Sequence, residues 1–185
     1  MRYFTSDTHF GHTNIIKYCN RPFANAGEMD RHIVKVWNEI VKPEDTVYHM
    51  GDVAFTSPEW CKHIVENLNG HKILILGNHD RAAEKMLDRG FQEVHQSLRI
   101  TLSDGTETNL SHYPYRNSVE DPYHKTKFDN KNIQDDGRLL LCGHVHDSWI
   151  TRPGKYKNHM INVGMDMWNF KPVSEDEIIA YKATL

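Results

Sequence analysis

Apolar runs in this chain end, one after another, in the same kind of polar cluster. Residues 2–6 read as a strand that stops at Asp7-Thr8-His9, and residues 46–50 as one that stops at Gly51-Asp52. Residues 72–76 run into Gly77-Asn78-His79-Asp80, and residues 139–142 into Gly143-His144-Val145-His146. A fifth strand, residues 107–111, ends at Ser111-His112. In open α/β sheets ligands bind beyond the carboxyl ends of the strands. A chain punctuated this way must fold so that its Asp, Asn and His side chains point at one crevice. The run at 72–76 is apolar without alternation, as expected of a parallel strand buried on both faces.

Between the strands the period changes. Met29, Ile33, Val36, Trp37, Ile40 and Val41 predict a helix over 28–42. Ser57-Pro58 reads as an N-cap with proline at the first helical position. That helix carries Trp60, Ile64, Val65 and Leu68 and stops near Gly70; Trp37 and Trp60 are expected in the core. Residues 82–89 predict a short helix, and Thr13-Asn14 a helix cap. Residues 91–102 and 107–111 predict two strands joined around Asp104-Gly105, a hairpin signal. Residues 160–163 predict another strand, and 178–181 a closing one. Early β/α alternation followed by mostly β predicts a mixed α/β fold with two sheets. No repeat, low-complexity tract or linker divides the chain, so one domain is expected over residues 1–185. Residues 113–137 form a long polar connection of the kind that carries function.

Composition removes several function classes. With 22 Lys plus Arg against 25 Asp plus Glu, the net charge of −3 excludes a polyanion-binding surface built on bulk positive charge. No apolar run reaches the ~18 residues of a membrane span, and Met1–Asp7 lacks a signal-peptide pattern, so a cytoplasmic protein without a membrane partner is expected. Cys19, Cys61 and Cys142 are odd in number and far apart, which suits neither a disulfide framework nor a zinc knuckle. The excess is in histidine, with 13 in 185 residues. Imidazole is the commonest metal ligand and a near-neutral acid–base group.

The strand ends offer seven or more donors, drawn from Asp7, His9, Asp52, Asn78, His79, Asp80, His112, His144 and His146. In Asp7-x-His9 and His144-x-His146, alternate residues on an extended backbone face the same way and can meet one centre. Mixed imidazole and oxygen donors suit manganese, iron, zinc or nickel better than calcium or magnesium. Seven donors are enough for two ions, with a carboxylate such as Asp52 bridging. Two ions ~3.5–4 Å apart clamp a phosphoryl group and supply hydroxide at neutral pH. Gly51, Gly77 and Gly143 each precede a polar strand-end residue and permit close backbone approach.

The order D-x-H, G-D, G-N-H-D, H, G-H-x-H, carried by Asp7–His9, Gly51-Asp52, Gly77–Asp80, His112 and Gly143–His146, resembles the calcineurin-like metallophosphoesterase superfamily. The opening Phe4-Thr5-Ser6-Asp7-Thr8-His9-Phe10-Gly11-His12 is similar to a small bacterial and phage branch of it. The resemblance implies a two-sheet mixed β sandwich flanked by helices, in four αββα layers. It implies that Asp7, His9 and His146 hold one divalent transition-metal ion, that Asn78, His112 and His144 hold another, and that Asp52 bridges them. Manganese comes first by family habit, with iron, nickel or zinc as alternatives. His79 matches the family's catalytic histidine, here the general acid that protonates the leaving oxygen while hydroxide attacks phosphorus in line.

The implied activity is hydrolysis of a phosphodiester or phosphomonoester, nucleotide or nucleic-acid related. A non-catalytic scaffold on the same fold and a nucleic-acid end-processing nuclease are the alternatives, the latter with Lys125, Lys127 and Lys131 guiding a strand. His12, Arg21 and Arg81 are candidate substrate contacts, since a guanidinium matches phosphate well. The protein Ser/Thr phosphatase branch has G-D-x-x-D-R-G where this chain has Gly51–Ser57, so the aspartate that orients the catalytic histidine there is replaced by Phe55. Asp80 is the candidate to take its place. Tyr113, Tyr115, Tyr123 and Phe128 either stack on a base or anchor their loop. His32, His49, His63, His71, His95, His124 and His159 read as structural or surface residues.

Overall fold

The computed structural model describes residues 1–116 and 131–185. Two five-stranded sheets make up its centre. The first contains β1 (Arg2–Thr5), β2 (Thr46–His49), β3 (His71–Ile75), β4 (Glu93–His95) and β10 (Val173–Ser174). Its order is β10-β1-β2-β3-β4, with β1 to β4 parallel and β10 antiparallel at the edge. The second contains β5 (Ser97–Thr101), β6 (Glu107–Ser111), β7 (Leu139–Cys142), β8 (Thr151–Pro153) and β9 (His159–Asn162). Its order is β5-β6-β7-β9-β8, with β6, β7 and β9 parallel and antiparallel strands at both edges.

Side-chain alternation divides the core. Phe4, Tyr48, Ile73 and Ile75 of the first sheet face Leu110, Leu139, Leu141 and Ile161 of the second. Tyr3, Val47 and Leu74 point the other way, beneath α2 (Ala26–Ile40), α3 (Pro58–Asn67) and α4 (Ala83–Leu87), which supply Met29, Ile33, Trp37, Cys61, Ile64, Val65 and Met86. The outer face of the second sheet carries Leu140, Cys142 and Met160, covered by Tyr115, Ile133 and Trp149. The molecule is thus the expected pair of mixed sheets flanked by helices. No helix among the described residues is long and apolar enough to cross a membrane.

Several local expectations are corrected. The closing segment is a helix, α5 (Glu175–Lys182), not a strand. Ser174 and Glu177 form a reciprocal capping box, and this S-x-x-E pattern starts a helix directly before Ile178 and Ile179. The segment at 91–102 is two strands in different sheets, β4 and β5, because the chain changes sheets there. Trp60 is 49% exposed and stacks on His63; Cys61, Ile64, Val65 and Leu68 make the buried face of α3 and leave Trp60 on its flank. Trp37 is buried as expected, with its indole N–H donating to Asn69 O. The helix predicted at 28–42 starts two residues earlier because the Asn25 side chain accepts from Glu28 N–H as N-cap. Helix α1 (Thr13–Tyr18) has His12, not Thr13 or Asn14, at its N-cap, without a side-chain capping bond.

Candidate metal centre

The parallel strands of both sheets discharge at one end of the sandwich. Asp7 N–H donates to Gly51 O, His9 N–H to Asp52 O, and Gly143 N–H to His112 O. A bridge between Ser6 and Gly164 joins the two sheets at this edge. Alternate residues meet here, but not through extended backbone. Asp7 (φ +56°), His9 (+49°), Asp52 (+58°), His144 (+70°) and His146 (+48°) all lie in the left-handed region. Each such non-glycine residue costs about 1 kcal/mol or more, the kind of strain that concentrates at functional sites. The turns hold this geometry through close packing. A Cβ on Gly51 (φ +87°) would lie 2.5 Å from Gly77 N, and one on Gly143 would overlap Ser6 Oγ and sit 2.5 Å from Asp7 Oδ2.

The donors form two groups. Asp7, His9 and His146 present ligand atoms within 4.8 Å of one another, and so do Asp52, His112 and His144. Asn78 Oδ1 adds to the second group, 3.1 Å from His112 Nε2. Asp52 lies between them: its Oδ2 is 3.7 Å from His9 Nε2 and 3.6 Å from His112 Nε2. All seven expected ligands are therefore brought together, in the two groups that the family resemblance implies.

The polar atoms test whether cations fit. Among the described residues Asp7 Oδ1 and His9 Nε2 are buried and find no hydrogen-bond partner, although buried polar groups are normally satisfied. They lie 3.9 Å apart. His112 Nδ1 is 2.6 Å from Met50 O, so its proton belongs there and Nε2 carries a lone pair. That nitrogen faces Asn78 Oδ1 at 3.1 Å, His144 Nδ1 at 3.2 Å and Asp52 Oδ2 at 3.6 Å. Converging lone pairs repel one another, and a cation among them reverses the sign. Burial disfavours charge on the donors themselves: it pushes Asp52 up, against the pull of His112, and holds His9 well below the ordinary imidazole range. Burial also opposes charge on His146, but the Asp7 charge and the hydrogen bond to Asp166 outweigh it and raise its pKa. The two clusters form a candidate binuclear site for divalent metals.

The supporting residues include several that the sequence reading missed. Asp166 Oδ2 is 3.2 Å from His146 Nδ1, which leaves Nε2 for the centre. It follows the β9 end as Val163-Gly164-Met165-Asp166, a strand end and glycine as in the other clusters but with the acid one residue further on. Arg21 is not a free phosphate clamp. Its side chain is fully buried, its fork holds both Asp166 oxygens at 2.8 and 2.9 Å, and it donates to the Thr8 and Asp7 carbonyls. Asp30, buried beneath the 9–12 turn, accepts from Gly11 N–H with both oxygens at 3.0 Å. Asp80 does not orient the His79 ring. Its carboxylate accepts from the backbone N–H groups of Asp52, Val53 and Gly77 and so ties two turns together.

The remaining candidates lie around the rim. His79 has a 43% exposed side chain, with Nε2 3.9 Å from Asp52 Oδ2. Its backbone N–H donates to Asp52 Oδ1. His12 is half-buried, with Nδ1 3.2 Å from His9 Nδ1, and Arg81 is exposed on the turn after Asp80. Tyr113 and Tyr115 are buried, 4% and 2% exposed, so they anchor the connection rather than offer stacking faces. Lys131 is exposed, while Tyr123, His124, Lys125, Lys127 and Phe128 lie outside the described residues. His49 is structural as read, with Nε2 3.0 Å from Thr8 Oγ1 and Nδ1 accepting from Gly51 N–H.

Comparison with known proteins agrees with this geometry. The model of the calcineurin-like phosphoesterase superfamily domain matches residues 3–174. An uncharacterized protein of Methanocaldococcus jannaschii is 35% identical over 181 residues, covering 96% of this chain and 88% of its own. The gene 66 protein of Mycobacterium phage L5 is 32% identical, covering 95% and 91%. The crystal structure of a protein of unknown function from Aquifex aeolicus superposes with a TM-score of 0.72 at 33% identity, over 98% of both chains. The family match spans every strand-end cluster that builds the site, and the chain belongs to the calcineurin-like phosphoesterase superfamily.

Proposed function

We propose that the chain is a binuclear metal-dependent phosphoesterase, a cytoplasmic hydrolase of phosphodiesters or phosphomonoesters of nucleotide or nucleic-acid type. The observation that carries this reading is the pair of buried ligand atoms, Asp7 Oδ1 and His9 Nε2, that find no hydrogen-bond partner among the described residues. Asp7, His9 and His146 would hold one ion and Asn78, His112 and His144 the other, with Asp52 shared. Such a mixed imidazole and oxygen set suits manganese, iron, zinc or nickel, and manganese comes first by family habit. When bound, two divalent ions neutralise charge on a phosphoryl group and activate water at neutral pH.

The chain's own residues do the rest. His79 reaches over the site from the exposed side, close to Asp52, and its ring is the one imidazole of the D-x-H, G-N-H-D and G-H-x-H motifs left outside both donor groups. In this reading it gives a proton to the leaving oxygen. His12 and Arg81 stand at the rim as substrate contacts. Arg21, through Asp166, holds His146 in the orientation that points Nε2 inward.

The test is hydrolysis of bis-p-nitrophenyl phosphate and p-nitrophenyl phosphate by metal-stripped protein, before and after adding manganese, nickel, zinc or magnesium. Metal-dependent turnover, fastest with manganese, is expected. Two ions bound without turnover of either ester would mean a very selective enzyme or a binding module, and absence of turnover on nucleotide esters as well would refute the catalytic reading.

A further inference from the structure

The ring of His79 has no hydrogen-bonding partner among the described residues. Asp52 Oδ2 is 3.9 Å from its Nε2, beyond hydrogen-bond reach. The Asp80 carboxylate, next in sequence, is committed to three backbone N–H groups. A general-acid histidine needs its ring held in one orientation, a task usually given to a carboxylate or carbonyl. Two rings meet it edge to face: Phe55, with centroids 4.7 Å apart at 61°, and farther off His9, at 5.8 Å and 63°.

Phe55 is itself held. Its N–H donates to Phe10 O, and its ring stacks on His12 at 4.2 Å and 20°. It also lies parallel to His9 at 6.0 Å. Yet it remains 44% exposed and belongs to none of the buried clusters of the core. A large apolar ring left at the rim of a polar site, wedged between three histidines, contributes little to the core.

We infer that Phe55 is the positioning residue of His79: it fixes the imidazole by ring packing and not by charge. The inference rests on the reading of His79 as the general acid. An edge-to-face aryl contact of this kind biases a rotamer by about three- to tenfold, which sets the expected effect.

The experiment uses the manganese-loaded protein and aryl phosphodiesters of graded leaving group, from p-nitrophenyl to phenyl. Proton donation matters most where the leaving oxygen is most basic. Phe55→Ala should lower kcat on the phenyl ester about three- to tenfold and leave kcat on the p-nitrophenyl ester nearly unchanged. Phe55→Tyr should restore the rate. In metal-free, isotope-labelled protein, the His79 ring protons should show contacts to the Phe55 ring and a ring-current shift that Phe55→Ala removes. In a His79→Ala background, Phe55→Ala should cost nothing more. If His79→Ala slows the phenyl ester but Phe55→Ala does not, the positioning role is wrong while the acid assignment stands. An equal Phe55→Ala loss on both esters, or losses additive with His79→Ala, also overturns it. If His79→Ala itself is without effect on the phenyl ester, the acid assignment falls, and this inference with it.

Discussion

Arg21→Met separates two incompatible roles for one side chain. The sequence presents Arg21 as a phosphate clamp; the structure presents it as a buried tie. The substitution keeps most of the stem and removes the charge and every donor. It strips the two-point contact from Asp166, at 2.8 and 2.9 Å, and the donors from Asp7 O and Thr8 O. Breaking a buried ion pair by removing one partner costs about 3–5 kcal/mol. His146 stays 3.2 Å from Asp166 and keeps part of the pairing, which places the cost near the lower end, about 3 kcal/mol. For a chain of this size that lowers Tm by about 6–12 °C. The assay is thermal and urea unfolding in the presence of a chelator, so that metal binding does not contribute. The double variant Arg21→Met/Asp166→Leu, which removes both charges, should recover part of the loss. Unchanged stability with a raised KM and an unaltered kcat would refute the reasoning and return Arg21 to the substrate.

Other substitutions and conditions probe the site from different sides. Gly143→Ala forces a methyl into Ser6 Oγ and Asp7 Oδ2; calorimetric titration should show manganese affinity reduced at least about tenfold, as supporting-shell changes at metal sites do, and unaltered affinity would disprove the tight approach. Adding manganese at about a hundredfold over its Kd should stabilise the stripped protein by about 2.7 kcal/mol for each ion bound, and identical melting with and without metal would contradict the fit of the donors. Burial raises Asp30 from an ordinary 3.8 to about 6, against the Gly11 hydrogen bond. The folded state therefore holds this proton more tightly than the unfolded chain does. Its contribution is complete below pH 3.8 and fades as pH rises through about 6. The stability difference between Asp30→Asn and the unaltered chain should change in that window, and a difference independent of pH would refute the burial argument.

Much of the site was legible because its donors follow strands. A strand's apolar alternation and the glycine or acid that ends it are local facts, and parallel strands in one sheet end on one side by topology. Asp7, His9, Asp52, Asn78, His112, His144 and His146 therefore converge from a one-dimensional pattern. Asp166 was readable by a looser form of the same rule, one residue further beyond its glycine than Asp52. The Ser174–Glu177 box was readable too, but residues 178–181 look alike as strand or helix when only their apolar character is weighed.

What the chain alone determined is the list of donors and the order in which strands deliver them, because both depend on short-range periodicity and turn chemistry. Only the tertiary structure decided the partnerships. Arg21 faces Asp166 across 145 positions of sequence, and Asp80 reaches back to Asp52. The left-handed turns at five of the ligands persist because packing from both sheets outweighs their local strain. Whether a guanidinium meets substrate or a buried carboxylate depends on which long-range neighbour removes it from water, and that is settled when the two sheets close on one another.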